Sequence, residues 1–341
     1  MSEAPRASAP LSPLPPRYLA DLLATGALLY LLPTIAPLIS AGSPGANEAL
    51  SILVTLLFTG LAVLLIAQLA KWPLPAPGEA AVALAAVVIY PLLTHLAGRG
   101  PIVRLYLHPL VNLCFILICV MAGRLLSRIL RERNILLPVG LVAMFADIFT
   151  VFLGPTGRAL EVAPKLVEKF SVALPAAGSA VGPHGAAGLT MLAAMGVGDF
   201  VFLALFLTSA ARFGFPLRRS SILITVLLWF AMVTYLLLPL VHVDLPGIPL
   251  LPFIAGGFLL AYRKQFRLTP SEKQGLIWGG LLLLAILGAA AWALHRPGPA
   301  PANSVSAEGA AVTGDPSTRA ADSPRSGQGQ SAPAQTGPAT P

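Results

Sequence analysis

The chain has 341 residues, of which 56% are hydrophobic and only 11% are charged. A soluble globular domain carries about 25% charged residues, so this composition excludes an ordinary soluble protein. The net charge of +8 is therefore interpreted as a feature of membrane topology rather than of nucleic-acid binding.

Long apolar segments predict an all-α membrane protein with about nine transmembrane helices. A helix that spans a bilayer needs about 20 predominantly apolar residues. The candidate spans are 18–40, 49–70, 80–98, 105–123, 135–154, 186–210, 220–242, 249–262 and 275–294. Residues 1–17 and 295–341 are rich in proline, alanine and serine, so they are predicted to be disordered.

Basic residues set the predicted orientation, because cytoplasmic loops are rich in lysine and arginine. With nine spans, the side that holds the N-terminus carries fourteen basic residues and the other side carries six, up to the tail. The N-terminus is therefore predicted to be cytoplasmic and the C-terminal tail to lie outside. The bias towards Ala, Pro, Leu, Gly and Arg is typical of a high-GC prokaryote, which favours the cytoplasmic membrane.

The loop between the fifth and sixth spans, 155–185, is the longest and would face outside. Within it, the stretch RALEVAPKLVEKFSVAL places apolar side chains on one helical face and charged side chains largely on the other. This pattern predicts a short helix in the membrane interface, either as a gate or as an ordinary surface helix.

Two aspartates lie well inside apolar spans, where a charge costs about 3 kcal/mol on insertion scales. They are Asp147, in LVAMFADIFTVFLG, and Asp199, in MGVGDF, and no basic residue lies at their depth. Both are best explained if they face each other from adjacent antiparallel helices. Two close carboxylates would share a proton, as in aspartic proteases, where one activates water and the other protonates the substrate carbonyl. Neutral aspartates bonded to other helices and the acids of a transporter are the alternatives.

Glycines and prolines interrupt regular structure near these acids. Gly196 and Gly198 precede Asp199 and allow either close backbone approach or close helix packing. The eighth span opens with LPGIPLLPF, whose prolines remove amide donors and free backbone carbonyls. Such a segment would hydrogen-bond an extended substrate strand, or it simply begins a helix.

Together these features resemble the presenilin and signal peptide peptidase family of GxGD intramembrane aspartyl proteases. The matching residues are Asp147, Gly196-Val197-Gly198-Asp199, and Pro249-Leu250-Leu251 at the family's PAL motif. The similarity covers roughly 135–262 and is more presenilin-like in local detail. The chain departs from the family at Ala146, where tyrosine is usual, at Leu250 in place of the PAL alanine, and in the numbering of the spans.

The resemblance implies a presenilin-like catalytic module at 135–262, preceded by a four-span bundle at 18–134 and followed by an additional span at 263–294. It implies Asp147 and Asp199 as the catalytic pair and no metal or cofactor. The residues expected to shape the substrate cleft are Gly196, Gly198, Pro249, Leu250 and Leu251. The implied substrates are transmembrane segments or signal peptides. Combined with the predicted orientation, the resemblance favours substrates whose N-terminus is cytoplasmic.

Other functions stay open at this stage. A prepilin-type peptidase also carries GxGD, but it usually has a polar continuation and often has CxxC pairs. Here Phe200-Val201-Phe202 follows, and the two cysteines, Cys114 and Cys119, match no zinc or redox spacing. A proton-coupled transporter, an ion-leak channel or a catalytically inactive scaffold are further alternatives.

Overall fold

A computed structural model describes residues 15–39, 43–152, 171–173, 194–238 and 247–294. The described residues are mostly helical. The helices are α1 (Pro16–Ile35), α2 (Pro44–Leu69), α3 (Ala76–Ala97), α4 (Pro101–Ile129), α5 (Leu136–Phe152), α6 (Val197–Arg212), α7 (Leu217–Leu237), α8 (Leu251–Tyr262) and α9 (Pro270–Leu294). Short 3₁₀ turns cover Ala36–Leu38 and Arg133–Ile135. Two strands, β1 (Ser171–Ala173) and β2 (Ala194–Gly196), pair antiparallel.

Seven of these helices are long and apolar enough to cross a membrane: α1 to α5, α7 and α9. The predicted class, a helical chain with several candidate membrane-spanning segments, is confirmed, whereas the count of nine is not. α6 has 16 residues and α8 has 12, fewer than the roughly 17–25 that a span requires. Both begin later than predicted, because β2 precedes α6 and residues 247–250 are non-helical before α8.

α6 is the central helix of the fold. It packs against α2, α4 and α8, and most of its side chains from Phe200 onward are buried. A Cβ atom at Gly123 of α4 would lie 2.5 Å from the Val201 carbonyl oxygen and 2.8 Å from the Leu205 nitrogen, so glycine allows this close approach. α2 also packs against α7. Of the first four helices, α2 and α4 therefore pack directly on the predicted catalytic module.

A Schellman motif ends α6 and directs the chain into α7. The Phe215 N–H donates to the Ala210 carbonyl at 2.8 Å, and the Gly214 N–H donates to the Ala211 carbonyl at 3.2 Å. Gly214 has φ 72°, a left-handed conformation that glycine adopts without steric cost. The resulting tight turn brings the end of α6 and the start of α7 to the same end of the molecule.

Contacts between helix termini define two ends of the helical bundle. At one end, which we call the basic end, the joining pairs are Tyr18 with Gln68, Glu79 with Arg124, Ser127 with Arg212 and Pro216 with Tyr262. Thirteen of the fifteen described lysines and arginines lie at this end, and Arg99 and Arg104 lie at the opposite end. The fold thus separates the basic residues to two ends as the alternating topology requires. That the basic end faces the cytoplasm stays a prediction.

The predicted interfacial helix in the 155–185 loop falls mostly outside the described residues. The described part, Ser171–Ala173, corrects the end of that prediction, because it is a strand rather than a helix. Val172 lies opposite Met195 in the two-stranded pair, and both side chains are buried. Pairing with a distant segment, which local helical periodicity cannot reveal, therefore decides the structure here. The predicted disordered regions lie almost entirely outside the described residues.

Candidate functional site at the aspartate end

The two aspartates lie at the end of the bundle opposite the basic end, which we call the aspartate end. Asp147 lies in the second half of α5, and Asp199 lies in the first turn of α6. Both side chains are half-buried. Their carboxylates lie within electrostatic range of each other, although 52 positions separate them in the sequence. The fold therefore brings together the two acids that the sequence singles out.

Asp147 is held by the start of α8. The Leu251 N–H donates to Asp147 Oδ2 at 2.9 Å. Leu251 is the first residue of α8, so its N–H has no partner within the helix and needs one from outside. The partial positive charge of a helix N-terminus also favours a nearby anion. The PAL-like segment thus contacts the first aspartate through its backbone.

Asp199 caps its own helix. Its Oδ2 atom accepts a hydrogen bond from the Gly196 N–H at 3.0 Å, where Gly196 is the N-cap residue and Asp199 is three positions later. This is the acidic half of a capping box. The prediction that Asp199 lies well inside a continuous span is therefore wrong in its local detail. β2 ends at Gly196 and the helix begins at Val197, which places the acid in the first turn.

α8 lies between the two aspartate-bearing helices. It packs against both α5 and α6, whereas α5 and α6 make at most a marginal contact with each other. Phe258 of α8 stacks on Phe206 of α6 with ring centroids 4.9 Å apart, and a Cβ at Gly140 of α5 would contact Leu259 at 3.3 Å. The sequence predicts that the two aspartate-bearing helices pack directly against each other. In the structure, both helices pack instead against a third helix, α8.

The other predicted site residues divide into open and buried positions. Among the described residues, a Cβ at Gly198 would meet no atom within 4 Å, and one at Gly196 would meet only the Asp199 carboxylate, at 3.7 Å. Helix packing among the described residues therefore does not require either glycine. Pro249 is half-buried, whereas the Leu250 and Leu251 side chains are 6% and 7% exposed and belong to the core. The backbone of this segment, rather than its leucine side chains, faces the acid.

Sequence reasoning missed a buried ion cluster at the basic end, which we call the arginine clamp: Glu79, Arg124 and Arg128. Arg124 Nε and Nη2 donate to Glu79 Oε1 at 2.9 and 2.6 Å, and Arg128 Nε donates to Glu79 Oε2 at 2.7 Å. The arginines also donate to carbonyls of the α2–α3 connection at Leu69, Trp72 and Leu74. The available signal was an acid at the start of one span and an Arg-x₃-Arg pair near the end of the next.

Within the described ranges, neither Asp147 nor Asp199 forms an ion pair, and both ion pairs found there involve Glu79. The described residues also include no group of three His, Cys, Asp or Glu side chains placed to hold a metal ion. The arrangement defines a helical protein, with candidate membrane spans, that carries two uncompensated acids beside two helix N-termini. No protein-family model, curated protein or solved structure matches the chain. Its function is therefore inferred from its own residues.

Proposed function

We propose that the protein is an intramembrane aspartyl protease of the presenilin type, with Asp147 and Asp199 as its catalytic pair. The observation that carries this proposal is the placement of two half-buried carboxylates from different helices at one end of the bundle, within electrostatic range of each other. Neither has a basic partner among the described residues, as the pairing of acids in an aspartic protease requires. The motif residues Gly196–Asp199 and Pro249–Leu251 support the same family.

The reaction is peptide-bond hydrolysis with one proton shared by the pair. The ionised aspartate removes a proton from water, and the water oxygen attacks the scissile carbonyl carbon. The protonated aspartate donates its proton to the carbonyl oxygen, which gives a tetrahedral diol. The C–N bond then breaks. The aspartate that took the proton from water protonates the leaving nitrogen, and the other aspartate takes a proton from the diol. The pair ends with one proton, as it began.

Non-helical backbone close to both acids supports a proteolytic role. A peptide bond within a helix is shielded, so the substrate must be unwound before it is cleaved. β2 directly precedes α6, whose first turn carries Asp199, and the non-helical residues 247–250 directly precede Leu251. Backbone of this kind at membrane depth forms hydrogen bonds with an extended peptide. No atom of the described residues lies within 4 Å of a Cβ built at Gly198, which leaves room in this part of the structure for the substrate chain next to the catalytic pair.

The finer features of the family belong to the same proposal. In it, α6 and α8 are the membrane-embedded cores of the sixth and eighth of nine spans, arranged as a presenilin-like bundle. The protein would lie in a prokaryotic cytoplasmic membrane with a cytoplasmic N-terminus and its tail outside. Substrates would be transmembrane segments or signal peptides whose N-terminus is cytoplasmic.

The test is cleavage of a labelled transmembrane peptide by the purified full chain in detergent micelles. Asp147→Asn and Asp199→Asn should each lower the cleavage rate by about 10²- to 10⁴-fold, the usual contribution of general acid–base catalysis. A hydroxyl compound that mimics the tetrahedral intermediate should block cleavage. Asp21→Asn is the matched control, because Asp21 is exposed on α1, and it should cleave normally.

Two outcomes would contradict the proposal. An intact peptide together with aspartate-dependent proton uptake in vesicles would identify a transporter. An intact peptide without proton uptake, from a chain that unfolds cooperatively, would identify an inactive scaffold.

A further inference from the structure

A cleft of about 710 Å³ opens at the basic end of the bundle. Its walls are the α2–α3 connection, the end of α4 and the turn between α6 and α7. Trp72 lies in the wall, and tryptophan is the side chain most typical of the membrane–water interface. The cleft therefore lies where the head groups of phospholipids would be found.

The cleft carries an excess of positive charge. Its charged side chains are Lys71, Arg124, Arg128, Arg212 and Glu79. Four positive charges and one negative charge leave a net charge of +3. Both carboxylate oxygens of Glu79 are already bonded to the two clamp arginines, so the acid neutralises charge without presenting a free oxygen.

Three of the cations keep donors that have no partner among the described residues. Lys71 is exposed, and its ammonium group makes no hydrogen bond there. Arg128 is 40% exposed and bonds through Nε and Nη2, which leaves Nη1 free in this part of the chain. Arg212 bonds the Ser127 and Leu130 carbonyls through Nη1 alone. Cationic donors that line one cleft are suited to bind phosphate oxygens.

We propose that this cleft binds the phosphate of an anionic phospholipid. Basic pockets between membrane helices are suited to anionic head groups. A lipid is favoured over free phosphate, because Leu74, Phe215 and Leu217 add apolar lining that suits the glycerol and upper acyl chain. The neighbouring α3 exposes Leu84, Val87 and Val88, which fits a surface covered by lipid.

This site is separate from the proposed catalytic pair. Arg212 follows Asp199 by 13 residues of α6, which is about 20 Å along the helix axis. The bound lipid would bridge three connections at the basic end, so it should stabilise the folded chain in proportion to its occupancy. Lipid binding should be the same in the Asp147→Asn variant, so it can be tested independently of proteolysis.

The experiment measures thermal unfolding of the full chain in a mild non-ionic detergent. The additions are phosphatidylglycerol, phosphatidylcholine or sodium phosphate at matched ionic strength. Phosphatidylglycerol should raise the midpoint by about 5 °C, as expected near 100-fold saturation of one site. Neither phosphatidylcholine nor sodium phosphate should shift it. Equal shifts with the two lipids would overturn the proposal. A shift with sodium phosphate alone would also overturn it, because it would show that the cleft binds a free anion rather than a lipid.

Variants of Lys71 locate the binding site. Lys71→Gln should at least halve the shift caused by phosphatidylglycerol, whereas Lys71→Arg should preserve it. Lys264→Gln is the matched control, because Lys264 is an exposed lysine at the same end but outside this cleft. If Lys264→Gln reduced the phosphatidylglycerol shift as much as Lys71→Gln does, the lipid would be attracted by charge spread over this end. That result would overturn the assignment of the site to this cleft.

Native mass spectrometry of the unmodified chain gives a second measurement that does not depend on variant folding. One phosphatidylglycerol should stay bound after detergent removal under conditions that strip phosphatidylcholine. Retention of both lipids, or of neither, would contradict the proposal.

Discussion

The acidic side chains at the two ends of the bundle have opposite surroundings. At the basic end, Glu79 is 1% exposed and both of its carboxylate oxygens meet arginine donors. At the aspartate end, Asp147 and Asp199 are half-buried, each bonds a backbone N–H, and neither meets a cation among the described residues. A fully paired acid contributes to structure, whereas two unpaired acids near each other retain the capacity to exchange protons.

Two of the helices that run between the contrasting ends begin beside the aspartates. α6 begins beside Asp199 and ends at Arg212, and α8 begins at Leu251 on Asp147 and ends at Tyr262. Substitutions at the basic end should change stability, and substitutions at the aspartate end should change activity. This separation fails only if α6 and α8 couple the two ends.

Glu79→Gln should give the largest change in stability. It leaves Arg124, whose side chain is 4% exposed, as a buried charge without a counter-ion. The free energy of unfolding should fall by about 3–5 kcal/mol, the usual cost of breaking a buried ion pair from one side. Unfolding by SDS titration in mixed micelles measures this difference.

Asp147→Asn is the matched control for that prediction. It removes a half-buried carboxylate that has no ion-pair partner among the described residues, so stability should stay the same or rise. If both variants lost stability equally, the contrast between the two ends would be wrong.

The sequence predicts the helices well, because they follow from local apolar composition. Each of the nine predicted segments overlaps one helix of the described ranges. The start of α6 is not predictable in this way, because β2 pairs with β1 more than 20 residues earlier. The apolar residues at 186–210 predict one continuous span. Only the pairing of β2 with β1 shows that the helix begins at Val197.

The site follows the same division between local and non-local information. Asp147 and Asp199 stand out because unpaired acids are rare in apolar spans. The bond from the Leu251 N–H to Asp147 is not visible in the sequence, because it joins residues 104 positions apart. The arginine clamp escaped prediction because Glu79 and Arg124 each lie near a span end, where charged residues are common.

Gly123→Ala and Gly198→Ala test whether the two glycines have different roles. At Gly123 the added methyl group meets backbone atoms of α6 at 2.5 and 2.8 Å, so α4 and α6 must move apart. The free energy of unfolding should fall by about 1–3 kcal/mol, the usual cost of overpacking. At Gly198 the methyl group meets no atom of the described ranges within 4 Å, so stability should not fall.

Cleavage rates make this comparison more informative. Gly198→Ala fills space next to Asp199, so under the proposed function it should slow cleavage of the transmembrane peptide without loss of stability. A destabilised Gly198→Ala variant would show instead that this glycine is required for packing.

Tyr262→Phe should cause the smallest of the predicted losses of stability, and it tests coupling along α8. The Tyr262 hydroxyl donates to the Pro216 carbonyl at 3.1 Å and lies 2.8 Å from Ser220 Oγ. Removing one hydrogen-bonding group costs about 1 kcal/mol. The cost should not exceed this, because the Pro216 carbonyl still accepts the Arg219 N–H and Ser220 still donates to Leu217.

The cleavage rate of Tyr262→Phe decides whether α8 transmits change between the two ends. Phe258 stays stacked on Phe206 in this variant, so the start of α8 should keep its position on Asp147 and cleavage should change by less than about twofold. A loss much larger than the stability change would mean that the end of α8 controls how Leu251 holds the first aspartate. In that case the basic end would regulate the aspartate end, and the two regions would act as one unit.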